Sequence, residues 1–352
     1  MTKVAVIGTV GIPACYGGFE SLVENLTKYS SEKVKYEVFC SSKSYPQKLS
    51  HYNGATLSYL PLSANGAQSI PYDMLSLIWC IFKKPDVTLI LGVSGCLFLP
   101  IYRLFSKSKV VTNIDGLEWK RDKWSKWAKK FLKLSEYIAV KYSDVVITDN
   151  KAIGEYVDAE YSKDNVVIAY GGDHAVIDAK GVGSMEDYYL ALCRIEPENN
   201  VEMILRAFSG SEHRLKFVGN WNASEFGRLM KSSFGQEKNL ELIDPIYELD
   251  ELFTLRSRCK GYVHGHSAGG TNPSLVEAMH FTKPVYAFDC SFNRYTTEDK
   301  AIYFSSEKEL EDKLSLIKEK ELKTVSDDMK EIANRRYTWA VVANSYEQIY
   351  FS

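Results

Sequence analysis

Gly261-Tyr262-Val263-His264-Gly265-His266-Ser267-Ala268-Gly269-Gly270-Thr271-Asn272-Pro273-Ser274-Leu275-Val276-Glu277-Ala278-Met279 is the stretch on which the fold reading turns. It opens as a short apolar strand, passes through a glycine-rich turn, and becomes helical at Pro273, whose fixed φ suits a first helical residue. A strand that feeds a helix through glycines is the repeating unit of a parallel α/β sheet. The same unit opens the chain. Residues 4–7 read as a buried strand, Gly8-Thr9-Val10-Gly11-Ile12-Pro13-Ala14-Cys15-Tyr16-Gly17-Gly18 as a turn, and Glu20 onward as a helix.

Working outward, strands are expected at residues 36–40, 87–91, 109–113, 145–148 and 166–169, with helices such as 20–29 and 124–142 between them. Residues 173–187 hold a glycine-rich run and few large apolar side chains, and read as a linker. The alternation then restarts at 189–192 and continues through 215–218, 240–243, 261–264 and 285–288. A chain of 352 residues accommodates two domains of roughly 150 residues each. The expected fold is therefore α/β, with two Rossmann-like doubly wound domains facing a central cleft. Residues 1–175 are read as the first domain and 186–334 as the second.

Composition narrows the function. A formal charge of −2 offers no global attraction for nucleic acid. The 7 cysteines are scattered without a C-x-x-C pair, which suits a reducing, cytoplasmic setting rather than a disulfide or zinc framework. Met1-Thr2-Lys3 leads directly into a strand, so no secretory leader is read. Residues 87–105 are apolar and nearly long enough to span a bilayer, but Gly92, Gly95 and Pro100 favour strand, turn and short helix.

Ligands of doubly wound sheets sit beyond the carboxyl ends of the strands. Gly17 and Gly18 there allow close backbone approach, although the spacing is not G-x-G-x-x-G. In the second domain, backbone N–H groups around Asn272, Ser274 and Leu275 are suited to cradle a diphosphate, and a carboxylate at Glu277 can accept from a ribose diol. The plainer alternative for Glu277 is a solvated acid that stabilises the helix dipole. Arg194 pairs with phosphate oxygens, or forms a surface ion pair with Glu196 or Glu198. His264 and His266 alternate at strand spacing and are expected on opposite faces. No metal site is expected, because Asp-x-Asp is absent and these histidines make a poor pair.

Residues 119–142 carry a further pattern. Trp124, Trp127, Phe131, Leu134 and Ile138 fall on one helical stripe, with Lys123, Lys126, Lys129, Lys130 and Lys133 beside it. Trp119, Trp124, Trp127, Lys126 and Lys130 are candidates for contact with a membrane surface or acceptor. A helix packed on its own domain with a solvated basic face competes equally.

These residues resemble the retaining glycosyltransferases of family 4. The likeness runs through residues 143–150 and 167–173, the helix at 197–208, and Pro273-Ser274-Leu275-Val276-Glu277-Ala278-Met279 with Lys283-Pro284-Val285. Tyr337-Thr338-Trp339 with Tyr346 and Tyr350 is similar to the family's returning C-terminal helix, so the resemblance implies a GT-B fold in which residues 335–352 form a helix that crosses back to the first domain. Gly11-Ile12-Pro13-Ala14, Tyr16-Gly17-Gly18-Phe19-Glu20, Asn113-Ile114-Asp115-Gly116-Leu117-Glu118-Trp119 and Gly269-Gly270-Thr271-Asn272 look like the bacterial rhamnosyltransferases of capsule and cell-wall polysaccharide synthesis. The resemblance implies transfer of L-rhamnose from dTDP-rhamnose to a lipid-diphosphate-linked saccharide at the cytoplasmic membrane face, with no metal cofactor. It gives Arg194 the leaving diphosphate and Glu277 the ribose. Asp115 would orient or deprotonate the acceptor hydroxyl, with Glu118 as competitor. Two positions depart from the family pattern: Gly269 stands where a glutamate is usual, and Asn200 where a lysine is usual. The rival readings are a GT-B nucleotide-sugar epimerase and a non-catalytic sugar-nucleotide sensor.

Overall fold

The computed structural model describes residues 1–14, 17–114, 116, 117, 119, 125–177 and 183–352. It divides into two compact units, Met1–Tyr170 with Trp339–Ser352, and Gly171–Thr338. In chain order the first unit contains β1 (Thr2–Ile7), α1 (Gly18–Tyr29), β2 (Val34–Ser41), β3 (His51–Tyr52), β4 (Ala55–Leu60), α2 (Ser69–Lys83), β5 (Val87–Leu91), α3 (Leu99–Phe105), β6 (Lys109–Asn113), α4 (Lys126–Tyr142), β7 (Val145–Thr148), α5 (Lys151–Tyr161) and β8 (Asn165–Val167). The second contains β9 (Tyr189–Leu192), α6 (Val201–Ser209), β10 (Leu215–Val218), α7 (Glu225–Phe234), β11 (Leu240–Ile243), α8 (Leu249–Arg258), β12 (Gly261–His264), α9 (Pro273–Met279), β13 (Val285–Phe288), α10 (Ser291–Thr296), β14 (Ile302–Phe304), α11 (Glu307–Leu316) and α12 (Glu319–Arg336). Helix α13 (Trp339–Phe351) belongs to the first unit.

The first sheet runs β3-β4-β2-β1-β5-β6-β7-β8 and is parallel except for the β3–β4 pair. Because side chains alternate along a strand, β1 feeds both faces. Val4 and Val6 join a core with Leu22 and Leu26 of α1, while Ala5 and Ile7 join one with Tyr72, Leu77, Leu99 and Tyr102. Helix α13 completes the former core through Trp339, Tyr346 and Tyr350. Its Tyr346 hydroxyl accepts from Asn113 Nδ2 at 3.0 Å. Glu347 accepts from the Ser31 backbone N–H at 2.6 Å and its hydroxyl at 2.7 Å.

One local reading changes and one holds. The β3–β4 hairpin was absent from the expected strands, although Asn53-Gly54 between its arms is a strong hairpin signal. The 87–105 stretch folds as β5, a short 3₁₀ turn at Cys96–Phe98 and α3. Among the described residues no helix is long and apolar enough to cross a membrane.

Candidate functional site

The second sheet runs β11-β10-β9-β12-β13-β14, all parallel. Its chain order reverses between β9 and β12, and the crevice at such a switch point is where doubly wound sheets bind ligands. The two loops that flank it are laced together. His266 Nδ1 lies 2.7 Å from Asn199 Oδ1, and Asn200 Nδ2 donates to the Gly265 carbonyl at 2.8 Å. The Ser267 backbone N–H and hydroxyl both donate to the Glu198 carbonyl, at 3.0 and 2.7 Å. Asn200, where the family resemblance expected a lysine, is thus a brace between loops.

His264 and His266 do not face opposite ways. The strand ends at His264 and the chain turns at Gly265, so both rings are buried with centroids 6.0 Å apart. Burial, with His266 beside it, holds His264 well below its ordinary pKa. Among the described residues no group of three or more His, Cys, Asp or Glu is placed to hold a metal ion.

Gly269 takes φ +111°, a backbone conformation that L side chains rarely adopt. A glutamate at this position would be strained in this loop, which suits the glycine found there. Asn272 caps α9: its Oδ1 accepts from the Ser274 backbone N–H at 3.0 Å and the Ser274 hydroxyl at 2.8 Å. The Leu275 N–H donates to the Asn272 carbonyl at 3.1 Å, and its side chain is fully buried. These N–H groups are engaged within the turn.

Glu277 is neither solvated nor a simple dipole partner. Its Oε2 pairs with Arg256 of α8, and His174 Nε2 lies 3.4 Å from Oε1. Arg256 is only 4% exposed at the side chain and Glu277 16%. Burial pushes the Glu277 carboxyl up, but the Arg256 guanidinium and His174 outweigh it and hold the pKa below the usual carboxylate range. Neither partner was read from the sequence. Arg256 sits among the polar residues of α8, and its closeness to α9 is created only by the fold. Arg194 is exposed, and its Nη1 lies 3.6 Å from Glu196 Oε1, the surface pair considered for it.

In the first unit the order reverses between β1 and β5, and residues 8–14 with Gly17 follow β1 at the corresponding crevice. Glu20, 7% exposed, organises that loop: Oε1 accepts from the Thr9 hydroxyl at 2.9 Å and the Val10 N–H at 2.8 Å. Gly17 takes φ +126°, and a Cβ there would sit 2.0 Å from Glu20 Oε2. Gly17 is therefore required by the turn itself. Gly18 begins α1 beside the Tyr170 ring.

Asp115, Glu118, Lys123 and Trp124 lie outside the described residues. Trp119 does not join an outer surface stripe. Its Nε1 donates to Glu136 at 3.1 Å, and Lys133 Nζ lies 4.6 Å from its ring centre. Glu136 also accepts from the Tyr156 hydroxyl at 2.6 Å and the Tyr161 hydroxyl at 2.5 Å. Lys133 is thus enclosed among aromatic rings and is not part of a solvated basic face. The buried side of α4 is Ser135, Glu136, Ala139 and Val140. Trp127, at its first turn, is exposed, as is Lys126. Lys130 is exposed too, and its Nζ lies 5.4 Å from the Trp127 ring centre.

Residues 175–336 match the family model described as glycosyl transferases group 1, and residues 1–173 match a domain of unknown function, DUF1972. No curated protein matches the chain. Among solved structures the chain is similar to sucrose-phosphate synthase from Thermosynechococcus elongatus, with TM-score 0.82 and 13% identity over 99% of this chain and 98% of that one. It is also similar to a glycosyltransferase from Rickettsia africae, with TM-score 0.74 and 11% identity over 99% and 97%. A third likeness is to the Anabaena protein HepE in complex with UDP-glucose, with TM-score 0.74 and 11% identity over 99% of both chains. The fold is the two-domain α/β GT-B fold of glycosyltransferases. Within that fold, residues 175–336 form a domain of the glycosyl transferases group 1 family.

Proposed function

We propose that the chain transfers L-rhamnose from dTDP-rhamnose to a lipid-diphosphate-linked saccharide in bacterial polysaccharide synthesis. Transfer takes place at the inner face of the plasma membrane, with the anomeric configuration retained and no metal required. The observation that supports the transferase reading is the group 1 domain, in which Arg194 follows β9 and the Asn272–Ser274 turn and α9 follow β12, the two strands at the switch point. A nucleotide-sugar donor is supported by the UDP-glucose complex of the similarly folded HepE. Rhamnose is supported by the sequence resemblance of residues 11–20, 113–119 and 269–274.

The difficult step breaks the bond between the anomeric carbon and the diphosphate oxygen. Negative charge grows on the leaving oxygen, so preorganised donors aimed at it supply the largest share of the acceleration. Arg194 leaves its long pair with Glu196 to bind the diphosphate. The Ser274 and Leu275 N–H groups turn to it when Asn272 gives way. Glu277, held ionised by Arg256, accepts from the ribose hydroxyls, and Gly17 and Gly18 permit close approach in the acceptor unit. Asp115 orients or deprotonates the acceptor hydroxyl.

The test incubates the protein with a panel of nucleotide sugars and detergent-solubilised lipid-linked acceptor, with and without EDTA, and follows nucleoside diphosphate release. Release from dTDP-rhamnose that needs the acceptor and survives EDTA is expected. Another preferred donor discards rhamnose, and donor conversion without acceptor replaces transfer with an epimerase.

A further inference from the structure

Helices α2, α3 and α4 pack side by side on one face of the first sheet. Tyr72, Leu77 and Cys80 of α2, Leu99 and Tyr102 of α3 and Ala139 of α4 share one core. Arg103 Nε of α3 also donates to the Tyr142 carbonyl at the end of α4, at 2.9 Å. The opposite sides of these helices are open to water, yet they carry large apolar groups. Phe82 and Leu104 are each 78% exposed and Trp127 is 81% exposed, with Trp79, Phe105 and Leu134 also exposed. A single exposed apolar side chain needs no explanation, but a set of them on three neighbouring helices does.

Positive charge is interleaved with this surface. Along the outer side of α4, Trp127, Lys130, Leu134, Tyr137 and Lys141 recur at three- and four-residue steps. Lys130 Nζ lies 5.4 Å from the Trp127 ring centre and Lys141 Nζ 5.5 Å from that of Tyr137. Phe82 is followed by Lys83 and Lys84, and Leu104-Phe105 by Lys107. Lys83 pairs with Glu37 at 3.0 Å and Arg103 with Asp144 at 2.7 Å, whereas Lys84 and Lys107 are exposed. The one carboxylate within α4, Glu136, is buried on the other side.

We infer that this outer face of α2, α3 and α4 docks on an anionic phospholipid bilayer. Trp, Tyr, Phe and Leu enter the headgroup–acyl boundary, while the lysines reach the lipid phosphates. A second copy of the chain is disfavoured as the occupant, since a two-fold pairing of this face would set lysines against lysines. The inference deepens the reading that the acceptor is lipid-linked, because it places the acceptor unit on the surface that holds such a lipid. It also enlarges the membrane contact beyond α4, which the sequence had singled out alone.

The test is flotation of the full chain with vesicles of phosphatidylcholine alone, or of phosphatidylcholine mixed with phosphatidylglycerol, with no donor or acceptor present. Failure to bind vesicles and failure to transfer sugar are thus separate results. Binding is expected to the mixed vesicles and to weaken as salt rises. The combined Phe82→Ser, Leu104→Ser and Trp127→Ser variant should bind at least about tenfold more weakly. Lys130→Glu with Lys141→Glu should weaken binding by roughly fivefold or more per position. Near-ultraviolet circular dichroism confirms that each variant is folded, and the salt dependence of the unaltered chain needs no variant. Absence of binding to mixed vesicles, equal binding to both vesicle types, or a dimer in solution that the serine variant abolishes would overturn the inference.

Discussion

Arg256 closes its guanidinium on the Glu277 carboxylate, joining α8 to α9 through an arginine almost wholly withdrawn from water. Removing one member of such a pair leaves the other charge buried and alone. Arg256→Met is therefore expected to destabilise the chain by about 3–5 kcal/mol and to weaken donor binding, as Glu277 loses the group that keeps it ionised. Urea unfolding measures the first effect and titration with donor the second. Because Glu277 is held below its ordinary pKa in the folded chain, its contribution to stability is present above the unfolded carboxylate range and is lost as pH falls through the folded value. Unaltered donor affinity in a folded variant would separate Glu277 from ribose binding.

Arg194 is exposed and makes one long ion pair, so its replacement should leave stability within about 0.5 kcal/mol. Arg194→Ala should nevertheless lower kcat by roughly 10²–10³-fold, the loss typical of one preorganised donor at a developing anion. Steady-state turnover with saturating donor measures this. A variant that transfers sugar at the original rate would remove Arg194 from the leaving-group site.

Gly269→Glu restores the residue usual in the family but not the backbone that would suit it. At φ +111° the side chain brings strain of about 1–3 kcal/mol. The expected outcome is a lower melting temperature with no gain in donor affinity. Tighter donor binding would mean that the loop relaxes to accept the carboxylate.

Asp73 of α2 is 3% exposed, and its Oδ1 has no hydrogen-bond partner among the described residues. Burial raises its pKa to about 8, against a smaller lowering by a backbone hydrogen bond from Gly95. Between about pH 4 and pH 8 the folded chain keeps a proton that the unfolded chain has released, so this group makes stability fall as pH rises. Above about pH 8 both states are ionised and its contribution levels off. Asp73→Asn should abolish that slope, which amounts to a total on the order of 6 kcal/mol. Urea midpoints across the interval check it, and parallel profiles for the two chains would show that Asp73 is ionised in the folded state.

Much of this architecture was legible because local chemistry agrees with global position. The run from Gly261 to Met279 reads as strand, turn and helix on its own, and it is β12, loop and α9. The glycine that marks such a turn was legible as a residue but not in its purpose: Gly17 makes room for the Glu20 carboxylate, which periodicity does not reveal. The pair of Glu277 was illegible because Arg256 and His174 come from separate segments, and nothing in their spacing forecasts the meeting. In α4 the sequence stripe was Trp124, Trp127, Phe131, Leu134 and Ile138, of which Ile138 packs partly buried against the core, whereas the fully buried residues are Ser135, Glu136, Ala139 and Val140. Small and polar residues win that side because Glu136 is satisfied by Trp119, Tyr156 and Tyr161, which hydropathy alone ranks as poor core.

Helix α13 also sets an order of events during synthesis. Trp339, Tyr346 and Tyr350 fill the same core as β1 and α1, although the whole Gly171–Thr338 unit separates them in the chain. A ribosome that has released the Met1–Tyr170 segment has therefore exposed a domain with an open seam. That seam stays open to chaperones until α13 emerges, while the group 1 unit folds in the interval.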